Sequence, residues 1–186
     1  MIETEALAGT RARGHTPEAD TRLAGELLSS RKEQREHGFV VDGIRSAMRG
    51  LCEVYSENDS SPELMKLSRV QHLCTRIRGE LAKDVDDADI LGSLHPTPAV
   101  GAYPTQPGLD LINRLEPFQR GWYSGPVGWV SRDGADFAVA IRSALIRESQ
   151  LHLYSGVGIV EGSLADQEWR EMEGKIAGLL SIFETR

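Results

Sequence analysis

Apolar and polar positions along the 186 residues fall into helical and strand-like stretches. Residues 1–7 read as a strand running into Ala8, Gly9 and Thr10, followed by a basic, glycine-containing loop over 11–15. Thr16-Pro17-Glu18 marks a helix start, with a hydroxyl N-cap, proline at the first helical position and an acid in the first turn. That helix should reach about residue 29. Val40, Ile44, Ala47, Leu51, Val54 and Tyr55 recur at helical spacing, which predicts a long helix over residues 31–55 with one apolar face. A polar loop over 56–62 leads to two predicted strands, 67–73 and 75–81. A short helix over 86–94 is stopped by His95-Pro96-Thr97-Pro98, and another covers 109–115. Three strand-like runs follow, at 125–131, 137–146 and 151–160, with Arg132-Asp133-Gly134 as the turn between the first two. Trp169, Met172, Ile176, Leu179, Leu180 and Phe183 predict a last helix over 164–183. This order predicts a mixed α/β (α+β) fold with a largely antiparallel sheet, rather than a doubly wound parallel one.

The length suffices for one domain, residues 1–186, with a sizeable core. A formal charge of −7 repels phosphate backbones, which argues against nucleic acid as a partner. No apolar run approaches the roughly 20 residues of a membrane span. The first residues carry neither a basic nor an apolar leader segment, so a cytoplasmic protein is expected. Cys52 and Cys74 are read as reduced thiols and not as a disulfide framework.

A few residues stand out as candidates for chemistry. Glu168, Glu171 and Lys175 share one helix face, within about 60° of arc, beside the apolar stripe. Two carboxylates there can hold a hard cation through oxygen ligands, or simply form a solvated face with a salt bridge to Lys175. Glu36 lies at the edge of the long helix's apolar stripe within KEQREH, a charge run that can equally be solvent-facing. His37 falls on the apolar face as a core histidine, and no HxxxH or CxxC spacing supports zinc. Gly156-Val157-Gly158 after a strand can present backbone N–H groups to an anion, although the dinucleotide fingerprint is absent. Arg142 is expected mid-strand, on a face shared with Ala140 and Ala144. A guanidinium there needs a partner, and either an internal acid or a ligand carboxylate would serve.

The order of the motifs is more specific than any one of them. TEALAGTRARG at 4–14, KEQREH at 32–37, RVQHL at 69–73 and LHPTPAV at 94–100 come first. EPFQRGWYSGPVGW at 116–129, FAVAIRSA at 137–144 and SGVGIVEGS…EWREMEGK at 155–175 follow. Over nearly the whole chain this succession resembles the chorismate-binding enzymes, a family that includes anthranilate, aminodeoxychorismate, salicylate and isochorismate synthases. LHPTPAV is similar to the isochorismate synthases, because anthranilate and salicylate synthases typically carry threonine where this chain has Ala99. RGWYSGPVGW resembles the menaquinone and phylloquinone pathway enzymes.

The resemblance implies stacked, largely antiparallel sheets with outer helices, and conversion of chorismate to isochorismate. It implies that Glu36, Glu168 and Glu171 surround Mg2+, which holds the ring carboxylate of chorismate. Lys175 and the N–H groups of Gly156 and Gly158 would face the same carboxylate. Tyr123 and Arg142 would grip the enolpyruvyl carboxylate. Gly9, Thr10 and Ala99 would line the site, with His72 beside the departing or migrating groups. A dianionic substrate needs two such pockets, so the assignment is chemically coherent. The chain departs from the family pattern in two ways. It reads SGVGIV where the family usually reads AGAGIV, which could tighten the anion pocket around Ser155 and Val157. The family's water-activating lysine and proton-donating glutamate come from a segment ahead of TEALAGT, where only Met1-Ile2-Glu3 stand here. The expectation is therefore the C-terminal portion of an isochorismate synthase, inert alone. The alternatives are a non-catalytic chorismate-binding remnant, a subunit of a split enzyme completed by a separately encoded N-terminal half, and a salicylate or anthranilate synthase.

Overall fold

The computed structural model describes residues 1–57 and 61–183. It contains two compact units, residues 1–113 and 114–186.

The first unit is built on one long strand. β4 (Val70–Leu81) pairs antiparallel along nearly all of its length with β1 (Ile2–Ala12). Its other edge is shared by β3 (Glu63–Lys66), opposite residues 71–74, and β2 (Cys52–Glu57), opposite residues 77–81. Strand alternation sorts the two faces. Gln71, Leu73, Thr75 and Ile77 are buried on one face together with Ala6 and Ala8. The opposite face carries ion pairs between exposed partners, Arg78–Glu3 and Arg76–Glu5, each 3.0 Å long.

Two helices cover the buried face. α1 (Pro17–Ser29) starts as expected, with the Thr16 hydroxyl accepting from the Ala19 N–H. α2 (Arg31–Leu51) lays Val40, Val41, Ile44 and Met48 onto the sheet, where they close the core with Ala6, Ala8 and Ile77. α3 (Asp87–Leu94) opens with a reciprocal capping box between Asp86 and Asp89.

Several expected boundaries move. The helix expected to reach residue 55 ends at Leu51, because residues 52–57 supply hydrogen bonds to an otherwise open edge of β4. The two strands expected at 67–73 and 75–81 are one, with Cys74 buried mid-strand. The expected polar loop contains the end of β2 at one side and gives way to β3 just past the other, while its residues 58–60 lie outside the described residues. The basic loop shrinks to 13–15 as β1 continues through Gly9 to Ala12. α4 (Thr105–Leu115) begins four residues earlier than expected and takes Pro107 into its first turn, where no backbone donor is needed.

The second unit contains two hairpins and a helix. β5 (Pro126–Val130) pairs with β6 (Ala135–Val139), and β7 (Ala144–Arg147) pairs with β8 (Gln150–Leu153). α5 (Ala165–Leu180) follows. The strand expected over 137–146 is therefore two strands. Ala140 closes the first hairpin by exchanging backbone bonds with Ser124 and Gly125, and Ser143 opens the second by accepting from the Tyr154 N–H. The strand expected over 151–160 ends at Leu153. β5 and β7 are exposed throughout. Pairing is antiparallel in every ladder, so the mixed α/β, antiparallel fold class holds.

Candidate substrate and metal site

In the first unit, the expected lining residues meet at an irregularity in β1. Ala8 stands opposite Leu73 and Thr10 opposite His72, so Gly9 is an extra residue in the ladder. Gly9 has φ 75°, the left-handed region that glycine enters without penalty. The Thr10 hydroxyl hydrogen-bonds His72 Nδ1 at 3.0 Å. Beneath Gly9 lies Glu33, only 2% exposed. Its Oε2 accepts the Thr10 N–H at 3.2 Å, and its Oε1 accepts Arg11 Nη1 at 2.8 Å. Lys32 Nζ stands 3.7 Å from the same carboxylate.

Glu36 is half-buried, three residues further along α2 on the same side as Glu33. His37 is a buried core histidine, as expected, with Nε2 2.8 Å from the Thr75 hydroxyl. Burial pushes its pKa down to about 4, a shift only partly opposed by the Ala8 backbone. Ala99 is exposed in a turn after α3. Beyond β1, Asp20 accepts both Arg13 Nε and Nη2, at 2.7 and 3.0 Å, and also Gly14 N–H and Lys66 Nζ. These donors, Arg13 foremost, hold its carboxyl well below the usual carboxylate range. This lock fixes the chain leaving β1.

In the second unit, three expected residues converge. Lys175 Nζ donates to the Gly156 carbonyl at 3.0 Å and pairs with Glu171 at 2.8 Å. The Tyr123 hydroxyl closes over Gly156 so tightly that a Cβ there would stand 2.7 Å from it. Tyr123 stacks on Tyr154 with centroids 5.3 Å apart, and Arg120 sits 5.6 Å above its ring. Glu116 holds Arg120 bidentately at 2.6 and 2.8 Å. Glu168 is 4% exposed in the first turn of α5, where a negative charge complements the helix dipole. Of the two readings of this helix face, the salt bridge to Lys175 is present, yet Glu168 is buried and not solvated. Gly158 is half-buried in the irregular segment between β8 and α5.

Arg142 is not mid-strand. It occupies the corner between the hairpins with φ 50°, a strained conformation for a side chain of its kind. Its Nε is shielded from solvent and has no hydrogen-bond partner among the described residues. The Ser155 hydroxyl is in the same position. Within either unit, the described residues contain no cluster of three His, Cys, Asp or Glu groups suited to a metal. In donor chemistry Glu36, Glu168 and Glu171 suit a hard cation, since all three offer carboxylate oxygens.

Sequence reasoning missed Glu33, Arg11 and the Glu116–Arg120 pair. Glu33 lies at i−3 and i−4 from Glu36 and His37, so helical periodicity places it on the buried face. Its place in a charge run hid it.

Known proteins resemble the chain over nearly all of its length. A family model described as chorismate binding enzyme matches residues 1–184. The salicylate biosynthesis isochorismate synthase of Pseudomonas aeruginosa is 45% identical over 177 residues, which are 95% of this chain and 37% of that protein. An isochorismate synthase of Bacillus subtilis is 41% identical over 181 residues, covering 97% of this chain and 38% of the relative. The solved menaquinone-specific isochorismate synthase of Escherichia coli superposes with a TM-score of 0.88 at 37% identity, over 98% of this chain and 42% of its own. Anthranilate synthase component I of Streptococcus pneumoniae gives 0.82 at 29% identity, over 95% of this chain and 39% of its own. The chain thus spans roughly two-fifths of the length of these relatives, and on this match it belongs to the chorismate-binding enzyme family.

Proposed function

We propose that this chain supplies the substrate-gripping part of a Mg2+-dependent isochorismate synthase. The observation that carries the reading is the convergence of Tyr123, Gly156 and Lys175 in the second unit. Family resemblance draws all three to the carboxylates of chorismate, and the relatives at 40% identity and above are named as isochorismate synthases.

Lys175 receives the ring carboxylate. Without ligand, its charge is held by Glu171 and the Gly156 carbonyl. An arriving carboxylate competes for the ammonium and releases Glu171 toward Glu168, which shares its helix face. By family resemblance Glu36 is assigned as a further oxygen donor for the cation. The bound cation would supply charge neutralisation at the ring carboxylate. Tyr123 and Arg142 take the enolpyruvyl carboxylate, and the shielded Nε of Arg142 offers a donor for it. His72, held by Thr10, stands by the departing or migrating groups. The water-activating lysine and the proton-donating glutamate are assigned, by family resemblance, to a segment ahead of Thr4. The cytoplasm is the proposed compartment, and menaquinone synthesis the proposed destination. Ala99 weighs against salicylate or anthranilate as product.

Titration of chorismate into residues 1–186, with Mg2+ and with EDTA, tests the reading. Saturable binding that needs Mg2+ is expected. Equal heats with both, or none with either, would overturn it. Binding without turnover, even when an N-terminal half is supplied, would leave a non-catalytic chorismate-binding module.

A further inference from the structure

We propose that Glu33 is a positioning residue for His72, acting through the β1 bulge that it holds open. The assignment rests on reading His72 as a site residue.

The argument begins with strand parity. Before the bulge, Ala6 and Ala8 stand opposite Thr75 and Leu73 and face the helices, while Leu7 and Glu5 face the other way. A regular ladder would place Gly9 opposite His72 and Thr10 opposite Gln71, on the helix side. The extra residue shifts the pairing by one, so that Thr10 stands opposite His72 and Arg11 opposite Gln71. This shift brings the Thr10 hydroxyl to His72 Nδ1 and turns Arg11 toward α2.

A bulge leaves backbone groups without ladder partners, and a buried one must satisfy them elsewhere. Glu33 does so from α2. One carboxylate oxygen takes the Thr10 N–H, the other takes Arg11, and Glu33 Cβ and Oε2 lie 3.2 Å from where a Gly9 Cβ would be. The Glu33 carboxylate is nearly inaccessible, so its charge is matched by Arg11 and Lys32. Glutamine cannot replace it, because its single carbonyl oxygen cannot serve both sites and its amide would face a donor.

The test uses isotope-labelled residues 1–186 without substrate, so its outcome is separate from that of the proposed activity. The readout is the through-space NMR contact between the Thr10 methyl group and the His72 ring, with the ring ¹⁵N shifts reporting the bond at Nδ1. Glu33→Gln is expected to lose the contact and move the Nδ1 resonance. A folded Glu33→Gln protein with both signals unchanged overturns the proposal. A second variant combines Glu33→Gln with deletion of Gly9. Without the extra residue, strand alternation alone puts Thr10 opposite His72, so the contact should return. If Glu33→Gln does not fold, a folded double variant with the contact restored supports the proposal. A double variant that also fails to fold, or folds without the contact, overturns it, because Glu33 would then serve packing and not register.

Discussion

Lys175 and Glu171 form a 2.8 Å ion pair one turn apart on α5, and the same ammonium donates to Gly156. The lysine is therefore oriented and already matched. In the proposed site, a ligand carboxylate would compete with Glu171 for this ammonium and free an oxygen donor on the helix face that also carries Glu168. Removing the lysine should cost more than a surface ion pair is worth, because a ligand carboxylate would lose its cation. Lys175→Met is expected to weaken Mg2+-dependent chorismate binding about tenfold or more, roughly 1.4 kcal/mol, by calorimetric titration. Unchanged affinity would reduce the pair to a helix-surface salt bridge.

The approach of Tyr123 to Gly156 makes a second, geometric prediction. Gly156→Ala places a methyl group 2.7 Å from the Tyr123 hydroxyl, so the ring must move off its stack on Tyr154. Chorismate affinity should fall. Tyr123→Phe removes the clashing oxygen, so the double variant should lose less than the sum of the single losses. Coupling of about 0.5–3 kcal/mol in the cycle is expected for residues in contact. Strict additivity would mean that the two do not share a pocket.

His37 gives a pH dependence whose sign can be stated. Its folded pKa is about 4, lowered by burial against Val40 and the sheet, whereas the unfolded value is near the ordinary 6.5. Between these values the unfolded chain binds the extra proton. Stability therefore rises with pH from about 4 to about 6.5 and is flat in this group outside that window. The slope from one group is at most about 1.4 kcal/mol per pH unit. Carboxylates titrate in the same range, so the measurement is a difference. Urea denaturation of wild type and His37→Gln from pH 4 to 7.5 should show a shallower acid decline in the variant. Equal slopes would mean that His37 binds its proton equally in the folded and the unfolded chain.

The elements that the sequence announces are those whose signals are local. Thr16-Pro17 fixes a helix start within a few residues, and it holds; the short helix expected from residue 86 also holds, opened by a capping box that the structure reveals. β2 and β3 were hidden, since nothing near residues 52–57 or 63–66 reveals the edge of β4 that they complete. Val54 and Tyr55 fit a helical stripe by coincidence of spacing, and Val54 is in fact 66% exposed. Arg142 was expected mid-strand, but it occupies a corner that depends on backbone bonds from Ser124 and Tyr154. Glu33 was lost because a charge in a charged run looks solvated. Only the bulge opposite His72 makes its burial intelligible.

The second unit makes a prediction about the chain in isolation. Trp122, Trp129 and Trp169 are 94%, 56% and 60% exposed, and Val127, Val130, Leu145 and Ile146 are exposed on the hairpins. Apolar surface of this kind, carried on open strand edges, promotes association. Residues 1–186 alone should be marginally soluble and self-associate with rising concentration in sedimentation velocity. Their indole emission should be that of hydrated tryptophan and should quench readily with acrylamide. A monodisperse monomer with a single cooperative thermal transition would contradict this.

The last prediction concerns turnover. The residues proposed to grip chorismate lie within residues 1–186, whereas the proposed base and acid do not. Each positioned acid or base contributes about 10²–10⁴-fold to rate, so without both the reaction should be undetectable. Residues 1–186 should bind chorismate with Mg2+ and leave it unchanged when the mixture is followed by chromatography. Adding a separately expressed N-terminal half from a related isochorismate synthase should restore measurable isochorismate. A Lys175→Met chain should fail to respond to the added half, because the half supplies proton transfer and not the grip on the ring carboxylate. Turnover by residues 1–186 alone at the rate of a whole enzyme would place the acid and base within this chain. His72, bonded to Thr10 above the Glu33-supported bulge, would then be the first residue to test as one of them.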